Sequence, residues 1–165
     1  MKEPIYVGWE SYGRMALSLA RKIEKSGGMF DLVIGIARGG IPLSMVLADH
    51  LNLKMDMVNV KSYTGIEERV KPAILSTINT RLEGKHILLV DDLIEHGDTM
   101  VVLSSYLARK KPSGLATAVM FTKPWNRFKP DFSVREVDRW VVFPWEIGEA
   151  RRTGALQAGQ KETKR

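Results

Sequence analysis

The sequence predicts an α/β fold in one domain, a mainly parallel sheet flanked by helices. Three observations carry this. Several short segments are apolar throughout rather than alternating, the pattern of strands buried on both faces. Amphipathic helical segments alternate with them. The chain has 165 residues, 44% of them hydrophobic, which suffices to close a single core.

Each element follows in order. From residue 11 or 12 to residue 25, Met15, Ala16, Leu19, Ala20 and Ile23 recur at helical spacing, with Arg14, Arg21 and Lys22 outside. Ser26-Gly27-Gly28 ends that helix. FDLVIGIA reads as a buried strand that breaks at Arg38-Gly39-Gly40. Pro42 then stands early in a helix whose Leu43, Val46, Leu47 and His50 share a face. A strand over residues 54–61 leads into SYTGIEERVKPA, polar and aperiodic, a long loop of the kind that often carries function. HILLVDD is the third strand. Residues 97–111 form a helix with Met100, Leu103, Tyr106 and Leu107 inward and Arg109, Lys110 and Lys111 at its negative end. LATAVMFT is the fourth strand, and FSVREV and WVVF close the folded part. Met15, Met45 and Met100 read as core; His50 and His86 lack metal-ligand spacing and read as packing or surface residues. No internal repeat or linker precedes the end, so residues 1–149 form the domain and residues 150–165 a basic polar tail.

Composition excludes some classes. Without cysteine, disulfides and thiolate metal sites are ruled out. That fits a reducing cytoplasm, as does an N-terminus without a signal-peptide pattern. No apolar run approaches the ~18 residues that span a bilayer. The net charge is +6, but +4 of it sits in the tail, on Arg151, Arg152, Lys161, Lys164 and Arg165 against Glu162. A solvated tail is the bland account of that charge, with an electrostatic role in assembly or nucleic-acid contact as the alternative. No helix-turn-helix pattern is visible, so nucleic acid is not the expected partner. The small remaining surplus suits anionic phosphates.

In parallel sheets, ligands bind beyond the carboxyl ends of the strands. Two loops there are unusual: residues 37–40 and 91–99. Gly97, Asp98 and Thr99 open a helix, so their free backbone N–H groups make an anion seat. Asp91 and Asp92 can accept from a ribose diol or hold Mg²⁺ that bridges to a second phosphate. A sugar diol with phosphates at both ends satisfies all of these groups. The bland readings also stand: Asp98 as an N-terminal helix charge, and Glu95 as a solvated acid. No P-loop signature is present.

VDDLIEHGDT resembles the phosphoribosyl-pyrophosphate (PRPP) motif of type I phosphoribosyltransferases. IARGG resembles the family's pyrophosphate loop, and Ser62-Tyr63 the pair that opens its catalytic lid. FTKP and DRWVVFPWEIG resemble the purine-binding end of bacterial xanthine–guanine phosphoribosyltransferases and their archaeal relatives. The motifs run in family order from Val33 to Gly148.

The resemblance implies the type I fold with a small C-terminal purine-binding hood. It implies transfer of phosphoribosyl from PRPP to a 6-oxopurine (hypoxanthine, guanine or xanthine), with Mg²⁺, giving a nucleoside monophosphate and pyrophosphate. Arg38 and Gly39 would bind pyrophosphate in a loop with a strained or cis peptide, and Ser62, Tyr63 and Arg69 would close over it. Asp91 and Asp92 would meet the ribose hydroxyls, Asp92 being the better metal contact. Residues Glu95, His96, Gly97, Asp98 and Thr99 would cradle the 5′-phosphate. Lys123 would donate to the purine 6-oxygen, Trp140 would stack on the base, and the Val141 backbone would read its edge. Glu146 would lie near the base's 2-substituent or a second metal, and Trp145 and Pro144 would shape a loop or an interface. A homodimer or homotetramer is implied. The departure is Glu95-His96, which replaces the family's usual aspartate–threonine. Glu95 keeps the carboxylate that assists proton transfer at purine N7, one methylene further out. A PRPP-sensing regulator on the same fold, or a different nucleobase, is the alternative.

Overall fold

The computed structural model describes residues 3–61 and 72–152. Its centre is a six-stranded sheet. The strands are β2 (Leu32–Ala37), β3 (Lys54–Lys61), β4 (Ala73–Ile74), β5 (His86–Ile94), β6 (Gly114–Thr122) and β7 (Phe132–Glu136), in the order β4-β3-β2-β5-β6-β7. All neighbours are parallel except β3 and β4. β1 (Ile5–Tyr6) and β8 (Val141–Val142) form a separate parallel pair, with Ile5 opposite Val141 and Tyr6 opposite Val142. This small pair is the hood expected at the C-terminal end. The sequence offered no sign of β1, because two residues show no period.

Apolar continuity along the strands is explained by packing on both faces. Val33, Leu88, Val90, Ala118 and Met120 pack with α1 (Trp9–Lys25) and α2 (Gly40–His50). Leu32, Ile34, Ile36, Ile87, Leu89 and Val119 pack instead with Met100, Leu103 and Leu107 of α3 (Asp98–Ala108), and with Ile78 and Leu82. Successive strand residues point to opposite faces, so a strand covered on both sides must be apolar at every position. Each fully buried Leu or Ile contributes about 1.5–3 kcal/mol.

Several boundaries differ from expectation. α1 begins at Trp9, earlier than the apolar stripe, because Trp9 is exposed and the buried stripe starts at Tyr12. α3 stops at Ala108 rather than 111: Pro112 disfavours helical backbone at the residue before it, and Lys111 takes φ 55°. β5 does not end at the aspartates but carries them. Its pairing with β2 stops at Gly35–Val90, while its pairing with β6 runs on to Ile94–Thr122. Met45 is not core; it lies on the outer side of α2, 61% exposed, whereas Met15 packs against the core and Met100 is buried. His50 lies 3.4 Å from Glu24 at the surface. A further short helix, α4 (Ile147–Arg152), crosses the position expected to separate domain from tail.

Two glycines test this packing in opposite directions. A Cβ on Gly40 would sit 2.5 Å from the Val90 carbonyl oxygen and 2.9 Å from Asp91 Cα. Gly13, inside α1, has nothing within 4 Å of such a Cβ. Gly40→Ala is expected to destabilise by about 1–3 kcal/mol, and Gly13→Ala to stabilise by about 0.5–1 kcal/mol. Thermal unfolding of the two variants checks both signs.

Candidate active site

Strand order reverses between β2 and β5, since β3 lies on one side of β2 and β5 and β6 lie on the other. The carboxyl ends on either side of this reversal form a crevice. Residues 37–40 enter it from β2 and Asp91 onward from β5. The peptide between Ala37 and Arg38 is cis, as the resemblance implied. A Cβ at position 39 would overlap the Asp92 carboxylate, so any side chain there would displace that acid. The loop and the acid therefore lie in direct contact, and Arg38 is exposed at the rim.

β5 is covered on the α1 side at even positions (Leu88, Val90) and on the α3 side at odd ones (Ile87, Leu89). Asp91 and Asp92, both half-buried, continue that alternation. Burial first, then the charge of Asp92, pushes the Asp91 carboxyl well above the usual range. Asp92 is raised to about 6, by burial and then by the negative charge of Glu146. Glu146 is itself raised, mainly by burial; the Phe143 N–H that it accepts at 3.1 Å and the charge of Arg38 work against that rise. Glu146 is thus aimed at the Asp92 side of the crevice. Below them Tyr12 is buried in an aromatic group with Phe143 and Trp145, and Trp145 stacks on Phe143 at 4.9 Å. The Tyr12 hydroxyl has no hydrogen-bond partner among the described residues, and burial together with the Asp92 charge holds it protonated.

The second part of the crevice is the turn into α3. Gly97 precedes the helix at φ 100°, a conformation that disfavours side chains, and a Cβ there would meet Phe128 Cβ at 2.5 Å. Among the described residues no side chain caps the helix start, so the amides of Asp98 and Thr99 are placed to receive an anion. Glu95, His96 and Asp98 are exposed around them. His96 also accepts a hydrogen bond at its carbonyl from the Arg127 N–H, at 3.0 Å.

Lys123 closes the third side. It follows β6, its N–H bonds the Ile94 carbonyl at 3.1 Å, and its side chain is nearly fully buried. The ammonium donates to the Arg139 carbonyl and lies 3.9 Å from Glu95 Oε2. Trp140, next to Arg139, is 51% exposed, while Val141 is buried in the hood. A ring face open to solvent beside a buried donor is suited to stacking a flat ligand. On the outer side of this corner a cleft of about 500 Å³ is lined by Ile5, Pro124, Arg135, Val137, Asp138 and Arg139, among others.

Of the residues expected from sequence, Arg38, Gly39, Asp91, Asp92 and Glu146 form one group around the reversal point. Glu95, Lys123 and the Trp140-Val141 edge form another, with the helix start between them. Ser62, Tyr63 and Arg69 lie outside the described residues. Sequence reasoning passed over two participants. Tyr12 was lost in a helical stripe of core residues. Trp125 donates its indole N–H to Glu95 Oε1 at 3.1 Å; its position directly after Lys123-Pro124 was the available signal. Among the described residues no three His, Asp or Glu side chains converge as a metal cage. Magnesium needs none, because it keeps waters and takes one or two carboxylates with phosphate oxygens. Clustered carboxylates whose proton affinity burial and mutual repulsion raise are the kind of donor set whose negative charge such a cation would relieve.

Residues 9–152 match the family model for the phosphoribosyl transferase domain. The xanthine-guanine phosphoribosyltransferase of Cereibacter sphaeroides is 30% identical over 150 residues, covering 86% of each chain. That of Nitratidesulfovibrio vulgaris is 33% identical over 144 residues, covering 85% of this chain and 83% of its own. The crystal structure of a purine phosphoribosyltransferase from Pyrococcus horikoshii superposes with a TM-score of 0.80 at 28% identity, over 97% of this chain and 100% of that one.

The carboxylates dictate a pH dependence. Asp92 holds its proton more tightly folded than unfolded, so its contribution is full at low pH and is lost as pH rises through about 6. Thermal unfolding of the metal-free protein is expected to show stability falling between about pH 4 and pH 7 at this group. Asp92→Asn should flatten that slope, and an unchanged slope would place the repulsion elsewhere.

Proposed function

The chain belongs to the phosphoribosyl transferase family, and we propose that it transfers the phosphoribosyl group of PRPP to a 6-oxopurine, releasing pyrophosphate and forming the nucleoside 5′-monophosphate. The observation that carries the choice of base is Lys123. A buried ammonium beside a carboxylate and an open tryptophan ring is matched to a flat ring bearing an exocyclic oxygen next to a ring nitrogen. The match to xanthine-guanine phosphoribosyltransferases over most of the chain supports the same choice.

In this reading the base lies against Trp140 with its 6-oxygen on Lys123 and its N7 towards Glu95. The Val141 backbone reads the opposite edge. The 5′-phosphate takes the amides at the start of α3, with Glu95, His96, Gly97, Asp98 and Thr99 around it. Asp91 and Asp92 accept from the ribose hydroxyls. Arg38 and the Gly39 backbone receive the pyrophosphate, and Ser62, Tyr63 and Arg69 are assigned to the same ligand by the motif they share with the family. Asp91 and Asp92 would hold Mg²⁺, with Glu146 better aimed at the metal side than at the base; when bound, the ion supplies charge stabilisation for the leaving pyrophosphate. As the C1′–O bond to pyrophosphate breaks, the C1′–N bond to the base forms, and positive charge grows on the ribose. The chain contributes by holding both reactants in line and by excluding water that would hydrolyse PRPP. Glu95 assists removal of the purine proton.

No helix among the described residues is long and apolar enough to cross a membrane. A cytoplasmic setting and assembly as a homodimer or homotetramer belong to the same proposal. Met29, Met45, Met57, Leu75 and Val101 offer exposed apolar surface for such assembly.

The test is direct. Incubation with PRPP, Mg²⁺ and hypoxanthine, guanine or xanthine singly should release pyrophosphate and the matching nucleotide, and EDTA should abolish turnover. No turnover with any of the three, together with salt-sensitive nucleic-acid binding, would favour a PRPP-sensing regulator. Glu95→Gln is expected to lower kcat by about 10²-fold or more while PRPP affinity, read by calorimetry, stays within about threefold. Equal losses would remove Glu95 from proton transfer.

A further inference from the structure

We infer that Trp125 is a positioning residue that locks the Glu95 carboxylate against the purine; this rests on the 6-oxopurine reading above. Glu95 is half exposed and replaces the shorter aspartate usual in the family, so it carries an additional rotatable bond that must be ordered. The indole N–H of Trp125 is that side chain's single donor, and it is spent on Glu95 Oε1 at 3.1 Å. The other carboxylate oxygen, Oε2, lies 3.9 Å from the Lys123 ammonium. That ammonium in turn sits 5.4 Å from the centre of the Trp125 ring. One indole therefore sets the spacing between the two groups that meet N7 and the 6-oxygen, which are neighbouring positions on the purine.

Core packing does not account for this tryptophan. It is 46% exposed and lies outside both buried clusters. Its backbone, in contrast, is held firmly. The Lys123 carbonyl accepts from Asn126 N at 3.1 Å and from Asn126 Nδ2 at 2.7 Å. Asn126 Oδ1 accepts from Phe128 N at 2.9 Å, and Arg127 N bonds the His96 carbonyl at 3.0 Å. The turn that carries Trp125 is thereby tied to the very loop that carries Glu95. A donor on a fixed turn, aimed at a long flexible acid, pre-organises that acid.

Steady-state kinetics on the full chain test the inference, comparing wild type, Trp125→Phe, Glu95→Gln and the double variant with PRPP, Mg²⁺ and each 6-oxopurine. Phenylalanine keeps an aromatic ring near Lys123 while removing the N–H together with the second ring of the indole, so the double-variant comparison isolates the hydrogen bond. Trp125→Phe is expected to lower kcat about tenfold and to leave KM for PRPP within about twofold. Its thermal midpoint should stay within about 2 °C, because the site is exposed. In the Glu95→Gln background the same change should cost less than about twofold, since it acts through that carboxylate. Unchanged kcat, or an equal loss in both backgrounds, would overturn the clamp while leaving the purine reading intact. A wild type that turns over none of the three bases would overturn both.

Discussion

The structure depends on one close approach: the glycine loop after β2 rests directly on β5 where the aspartates leave the shared sheet. β5 outruns its pairing with β2 by the stretch from Asp91 to Ile94, where it pairs with β6. The side left open is filled by Gly39 and Gly40, whose missing side chains allow backbone to lie against the Asp92 carboxylate and the Val90 carbonyl. Every other feature is arranged around this contact. It brings Arg38 to the rim, directs Asp92 towards Tyr12 and Glu146, and leaves the start of α3 free at the far end of the crevice.

A second constraint ties the base side to the phosphate side. The chain after β6 does not hang from the sheet as a loose loop. Lys123 bonds Ile94, Arg127 bonds His96, and Phe128 lies where a side chain on Gly97 would have to go. The hood is fastened to the same corner through the carbonyl of Arg139. The turn into α3 and the corner after β6, built on separate strands, thus share hydrogen bonds. This matters for a reaction that depends mainly on the alignment of two reactants.

Accumulated negative charge is the cost of the arrangement. Asp91, Asp92 and Glu146 are gathered into a partly buried space with one exposed arginine nearby, and their carboxyls are all pushed upward. Such repulsion is what a bound cation would relieve in the proposed function. The buried Tyr12 hydroxyl, which has no hydrogen-bond partner among the described residues and feels the charge of Asp92, belongs to the same environment.

Much of this was legible in the residues. Unbroken apolar runs identified strands covered on both faces, glycine after a strand identified a tight turn, and VDDLIEHGDT identified the acid-then-helix-start arrangement. Those signals are local, because period, backbone freedom and helix-end amides depend on neighbours in sequence. What the chain alone did not disclose were relations between distant segments. That β5 continues past its acids depends on β6 lying beside it; that a two-residue strand near the N-terminus completes the hood depends on β8. The pairing of Trp125 with Glu95 joins residues thirty positions apart, and no spacing rule links an indole to a carboxylate at that distance. Sequence determined which groups are candidates for the chemistry, since their type and local geometry are written in order. Tertiary structure decided which of them face one another, since hydrogen bonds and burial form only once strands from separate parts of the chain lie side by side.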